Sequence, residues 1–247
     1  MLHGKIEHGD SLGNKGSIGS GDIQWITAGN GIIHQEMPKG QTDGLMWGFQ
    51  LWANLPASHK MMDPRYQDVT SNEIPEVTLD KGFRAKIISG VVQGVKGPVQ
   101  DIVIDPEYLD VSGAAESSLS HPVKRGHTAF AYVVEGQGYF DVERDAYADE
   151  VEGANYFDFK RECLMDAGHV IIFDEGDDVV ITTGEKPVRF FLVSGKPIKE
   201  PVAWYGPIVM NIQEELRIAF EEYQNGTFIK HNSSSIRGSR ALELDNF

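Results

Sequence analysis

The run GDIQWITAGNGIIHQEMP, residues 21–38, reads as strand, glycine turn, strand, and it closes with His34 and Glu36 two residues apart. Along an extended chain successive side chains point to opposite faces, so the imidazole of His34 and the carboxylate of Glu36 stand on the same side. Gly29 and Gly31 bracket the tight turn that delivers them. A nitrogen and an oxygen donor side by side on a rigid strand suit a divalent first-row metal with open positions, the chemistry of non-haem iron. His34 and Glu36 are therefore the candidate metal ligands, and they make half a site. Such a spacing taken alone is more often a surface pair than a ligand pair.

Working outward, 247 residues suffice for one large all-β unit or two smaller ones with real cores. The 37 acidic against 22 basic residues give a formal charge of −15, which opposes nucleic-acid phosphates and anionic membrane surfaces, so neither is expected as a direct partner. One cysteine, Cys163, precludes an intramolecular disulfide and fits a reducing compartment. The first ten residues hold Lys5, Glu7 and Asp10 with no apolar run, and no later stretch has the apolar length of a membrane span. A soluble protein of the cytoplasm, or of the nucleus in a eukaryote, is the expectation.

Most periodic segments have strand character: 45–54, 83–89, 101–105, 129–134, 170–173, 179–183 and 188–194 are short and rich in β-branched and aromatic residues. Glycine or acidic turns separate them without long helices, which predicts a sandwich or barrel in place of a parallel α/β sheet. Trp25, Trp47, Phe49 and Trp52 are expected to pack in the core of the first half. Residues 57–75, with Pro64 and Pro75, read as an irregular connection, and Met61 and Met62 as packing residues. One helix is predicted near the end, capped by Asn211 with Glu214 completing a capping box. Ile212, Leu216, Ala219, Phe220 and Tyr223 fall on one face, and Gly226 is the stop. Such a helix should brace the sheets. The Ser- and charge-rich stretch 231–247, which includes His231, reads as a disordered tail.

The chain also aligns with itself. Residues 21–29, GDIQWITAG, match 168–176, GHVIIFDEG, with both glycines and the apolar pattern in register. Downstream, FQLWANLP at 49–56 resembles FFLVSGKP at 190–197; upstream, MLHG at 1–4 resembles VVEG at 133–136. His34 and Glu36 then fall opposite Ile181 and Thr183, so the second half has the scaffold without the ligands. The second half has a strand over 126–134 leading into Gly136, whereas the first half begins three residues before Gly4, so its opening strand is expected to be missing.

The run at 21–38, LWANLP at 51–56, SGKPIKEPVAWYGPIVMN at 194–211, QEEL and NGTF resemble the pirin family of bicupins over most of the chain, residues 4–230. The resemblance implies an all-β fold of two cupin-type barrels with a C-terminal helix, the first barrel incomplete. The implied division is a metal-bearing N-terminal cupin over 1–56, strands completing that barrel plus a linker over 57–120, a C-terminal cupin and helix over 121–230, and the tail. It further implies one iron held by three histidines and one glutamate, two of which fall on His34 and Glu36. The other two form a His-x-His outside this sequence. His3 and His8 are the nearest histidines but lie past the ligand position; His8 sits in a segment like the family's pocket lining, where a role beside the metal or toward substrate is open. His59, His121, His127 and His169 show no partner at ligand spacing.

The function implied is that of a quercetin 2,3-dioxygenase, opening the central ring of a flavonol with O₂, with His34 as ligand and Glu36 as ligand and catalytic proton acceptor. The alternatives are an iron-dependent, redox-sensing co-regulator that binds a protein partner, or an inactive truncated form.

Overall fold

The computed structural model describes residues 1–39, 44–80, 82–142 and 164–230. Cys163 and the stretch 231–247 lie outside them. The chain divides into two compact units, one of residues 1–71 with 198–247 and one of residues 72–197. The first begins with β1 (Lys5–Asp10), β2 (Lys15–Ile18), β3 (Ile23–Thr27), β4 (His34–Lys39) and β5 (Arg65–Val69). The second holds β6 (Glu76–Asp80), β7 (Phe83–Ser89), β8 (Val91–Val92), β9 (Val95–Lys96), β10 (Glu107–Gly113) and β11 (Ser118–Pro122), then β12 (Thr128–Tyr139), β13 (Leu164–Asp166), β14 (Val170–Ile172), β15 (Asp178–Thr182) and β16 (Val188–Gly195). The chain returns to the first unit with β17 (Ala203–Tyr205), β18 (Ile208–Met210) and the helix α1 (Gln213–Gln224). The described residues form an all-β fold with one α-helix, near its C-terminal end.

In the second unit the strand order is β11-β15-β12-β16-β10-β7-β6, with β13 and β14 also on β12. Its two end strands, β11 and β6, lie against each other, so the sheet nearly closes into a barrel. Alternation explains the core: β10 turns Leu109 and Val111 inward and Tyr108 and Asp110 away, and β16 sends Phe190 and Leu192 in. Phe83, Ile87, Leu119, Val133 and Ile181 complete a centre in which every one of these side chains is at most 1% exposed. Each such side chain contributes roughly 1.5–3 kcal/mol through burial.

The first unit carries smaller sheets. Strand β1 lies between β2 and β4, β3 pairs with β5, and β17 with β18. The helix packs on β17 and β18 through Leu216 and Ala219, which are buried. Gly29 adopts φ +53, and a Cβ there would collide with the carbonyl of Met62, so only glycine turns the chain from β3 toward β4 at this point.

The internal repeat is visible in the hydrogen bonds. Val133 N donates to His169 O at 3.0 Å and Gly168 N to Val133 O at 2.9 Å; at the aligned positions Met1 N donates to Asp22 O and Gly21 N to Met1 O, both at 2.8 Å. In both halves the strand after the aligned glycine then pairs antiparallel with the strand after the turn, Glu7 opposite Met37 and Tyr139 opposite Thr182. The two registers differ by an even number of residues, which keeps the same side chains on the same face.

Several expectations are corrected. The strand expected over 45–54 has no ladder, only a bridge between Trp47 and His3, and Phe49 and Trp52 are 41% and 55% exposed in place of packing in a core. Residues 101–105 are irregular because Asp101 takes a left-handed φ of +55, which breaks an extended run. The irregular connection over 57–75 contains β5, which zips onto β3 from Ile23–Val69 to Thr27–Arg65. Within the stretch 57–120, β10 pairs with β16, β7 with β10 and β6 with β7, so these strands share one sheet with the second unit, while the helix groups with residues 1–71.

Candidate metal centre and the polar face around it

Strand β4 places His34 and Glu36 as their spacing predicts, on one side of an extended segment, with His34 Nδ1 3.7 Å from Glu36 Oε1. Both side chains are about one-third exposed, at 35% and 37%. A divalent ion with bonds of about 2.1 Å to a nitrogen and an oxygen spans such a gap at an angle near about 120°. The donor types fit a non-haem metal; their number does not. Among the described residues no group of three or more His, Cys, Asp or Glu side chains is arranged to hold a metal ion.

The antiparallel register explains what surrounds the pair. Strand β1 sets Asp10 opposite His34 and His8 opposite Glu36, and side chains directly opposed across an antiparallel pair share a face. Asp10 is committed to the β1–β2 turn, where its carboxylate accepts from the backbone N–H of Leu12 and Asn14 at 2.9 Å each and from Asn14 Nδ2 at 2.8 Å. His8 is buried, with Nδ1 2.8 Å from the Tyr66 hydroxyl. The Tyr66 phenol pKa is pushed up by burial first and then by the nearby carboxylates of Asp68 and Asp10, against a hydrogen bond from Gln24, with Glu36 adding to the rise. The phenol therefore stays neutral.

At the aligned positions the second unit carries Ile181 and Thr183. Ile181 is fully buried in the core, and Thr183 donates its hydroxyl to Ala114 O at 2.6 Å. His3 is occupied with Trp47 through the backbone. Two other histidines do have acidic partners: His121 Nε2 meets Glu107 Oε1 at 2.6 Å, and His169 Nδ1 meets Asp166 Oδ1, three residues away, at 2.7 Å. Glu107 lies on a different strand from His121, so no motif could have shown the pair. Tyr66 was missed for the same reason, since 58 residues separate it from His8.

No helix among the described residues is long and apolar enough to cross a membrane. The family description "Pirin" matches residues 1–53, and "Pirin C-terminal cupin domain" matches residues 108–229. A protein of Arabidopsis thaliana provisionally named pirin-like is 40% identical over 229 residues, 92% of this chain and 76% of that one. A protein of Thermoplasma acidophilum with the provisional name quercetin 2,3-dioxygenase is 35% identical over 250 residues, 94% of this chain and 88% of that one. The crystal structure of quercetin 2,3-dioxygenase from Acinetobacter baumannii superposes with a TM-score of 0.76 at 27% identity, covering 92% of this chain and 73% of that one. With both halves matched and relatives aligned along nearly its whole length, the chain belongs to the pirin family of the cupin superfamily.

Proposed function

We propose that the protein acts on flavonol-type substrates in the manner of a quercetin 2,3-dioxygenase, receiving the substrate on the His34–Glu36 face of its first unit. The observation that carries this reading is the contrast between the two halves: the pair is presented to solvent on β4, while the aligned Ile181 and Thr183 are sealed in the core. The provisional name of the Thermoplasma relative and the name of the Acinetobacter structure support the substrate class. His34 and Glu36 would be two of the donors to a divalent metal there, which would supply the redox chemistry that activates a flavonol toward O₂. Glu36, as an exposed carboxylate, is the group placed to accept the proton of a flavonol hydroxyl.

The test is consumption of quercetin under air, followed at its visible absorption band, with metal per chain measured on the same preparation. The expected result is turnover by the parent and a loss of about 10²-fold or more in Glu36→Ala. Retention of both metal and rate by His34→Ala would remove the pair from the site.

A further inference from the structure

The face that carries His34 and Glu36 ends in a second polar group that the proposed reaction has not used. His8 stands directly across the sheet from Glu36 and is only 4% exposed. Its ring stacks on Tyr66, with centroids 5.5 Å apart and planes at 28°. Its Nδ1 is bonded to the Tyr66 hydroxyl, but its buried Nε2 has no hydrogen-bond partner. A buried polar atom left unmatched is costly, and its retention needs a reason.

The arrangement around Nε2 supplies one. The Asp68 Oδ2 atom lies 3.9 Å away, beyond hydrogen-bond reach but on that side of the ring, and Gln24 Nε2 holds the other Asp68 oxygen at 3.1 Å. A carboxylate on the Nε2 side favours the tautomer with its proton on Nε2. Nδ1 is then the acceptor, and Tyr66 donates to it. With its own proton turned toward His8, the phenol oxygen has its acceptor side toward the Gln24 amide, which an incoming hydroxyl donor would displace. Tyr66 as a whole is part-exposed, in contrast to the buried His8.

We propose that Tyr66 is a substrate-recognising residue of this face, its oxygen accepting a hydrogen bond from a hydroxyl group of a planar polyphenol, and that His8 is the positioning residue that turns the phenol proton away from the ligand. This inference rests on the flavonol reading. It adds to it the group that distinguishes a hydroxylated ring system from a bare one.

Binding of quercetin and of unsubstituted flavone, measured by quenching of tryptophan fluorescence in the protein as isolated, separates the outcomes. The parent is expected to prefer quercetin. Tyr66→Phe, which keeps the ring and its stack, should lower that preference by about tenfold while leaving flavone affinity unchanged. His8→Leu should do the same, and His8→Asn, whose amide oxygen can stand in for Nδ1, should restore the preference. A residue with a purely structural role would weaken both ligands together. An unchanged preference in Tyr66→Phe overturns the inference and leaves the flavonol reading standing; a parent with no preference between the two compounds overturns both.

Discussion

Gly16 has no side chain because the His8 imidazole stands where one would go: a Cβ there would lie 2.7 Å from His8 Nε2. The ring cannot retreat, since it is buried against Tyr66. Gly16→Ala should therefore destabilise the protein by about 1–3 kcal/mol, an overpacking cost readable in a denaturant melt. Ile181→Ala opens a cavity in the second unit's core and should cost about 2–5 kcal/mol with no effect on metal content. His34→Ala should behave in the opposite way, within about 0.5 kcal/mol of the parent in stability, because the side chain is exposed, but depleted of metal. The side-by-side placement of His34 and Glu36 was legible in the sequence because an i, i+2 pair on a strand needs only local geometry. The His8–Tyr66 and His121–Glu107 pairs were not, because strand register brings together residues that no local pattern connects.

At the level of elements, the helix shows how a motif can be right in kind and displaced in place. Asn211 was expected to cap it, but its side-chain amide is drawn to Glu200 Oε2 and Pro201 O, both at 3.1 Å. Ile212 takes the N-cap position, and Glu215 reaches back to the backbone N–H groups of Asn211 and Ile212 at 3.0 and 3.1 Å. Glu214, the expected partner, pairs with Arg217 instead. Glu215→Ala should consequently lower stability by about 1 kcal/mol, whereas Glu214→Ala should change it by less than about 0.5 kcal/mol; paired thermal melts decide between the two assignments. Gly226 stops the helix as expected, with φ +70 just beyond Asn225. The strands β7, β12, β15 and β16 were readable from their β-branched and aromatic runs. The segment 45–54 carries the same kind of run without forming a ladder, since an apolar pattern specifies a strand only where a neighbouring backbone is there to pair with it.

On the scale of the whole chain, the repeat was the most informative feature of the sequence, because matched glycines and apolar spacing report backbone geometry even where chemistry has diverged. The hydrogen bonds of Met1 with Gly21 and Asp22, reproduced by Val133 with Gly168 and His169, are the physical form of that match. The grouping of elements was less legible: β6, β7 and β10, from the stretch 57–120 that the resemblance implies completes the first barrel and links it to the second, follow β16 in one sheet, and the helix groups with residues 1–71, because long-range strand pairing leaves no local pattern. One half keeps an apolar core and the other exposes a pair of donor side chains, and the proposed function rests on that pair. The most direct test is quercetin consumption and metal content measured together on the parent, on Glu36→Ala and on Thr183→Ala, its aligned counterpart in the second unit. The account predicts loss of turnover in Glu36→Ala and parental turnover per folded chain in Thr183→Ala. Equal turnover in the parent and Glu36→Ala would contradict it.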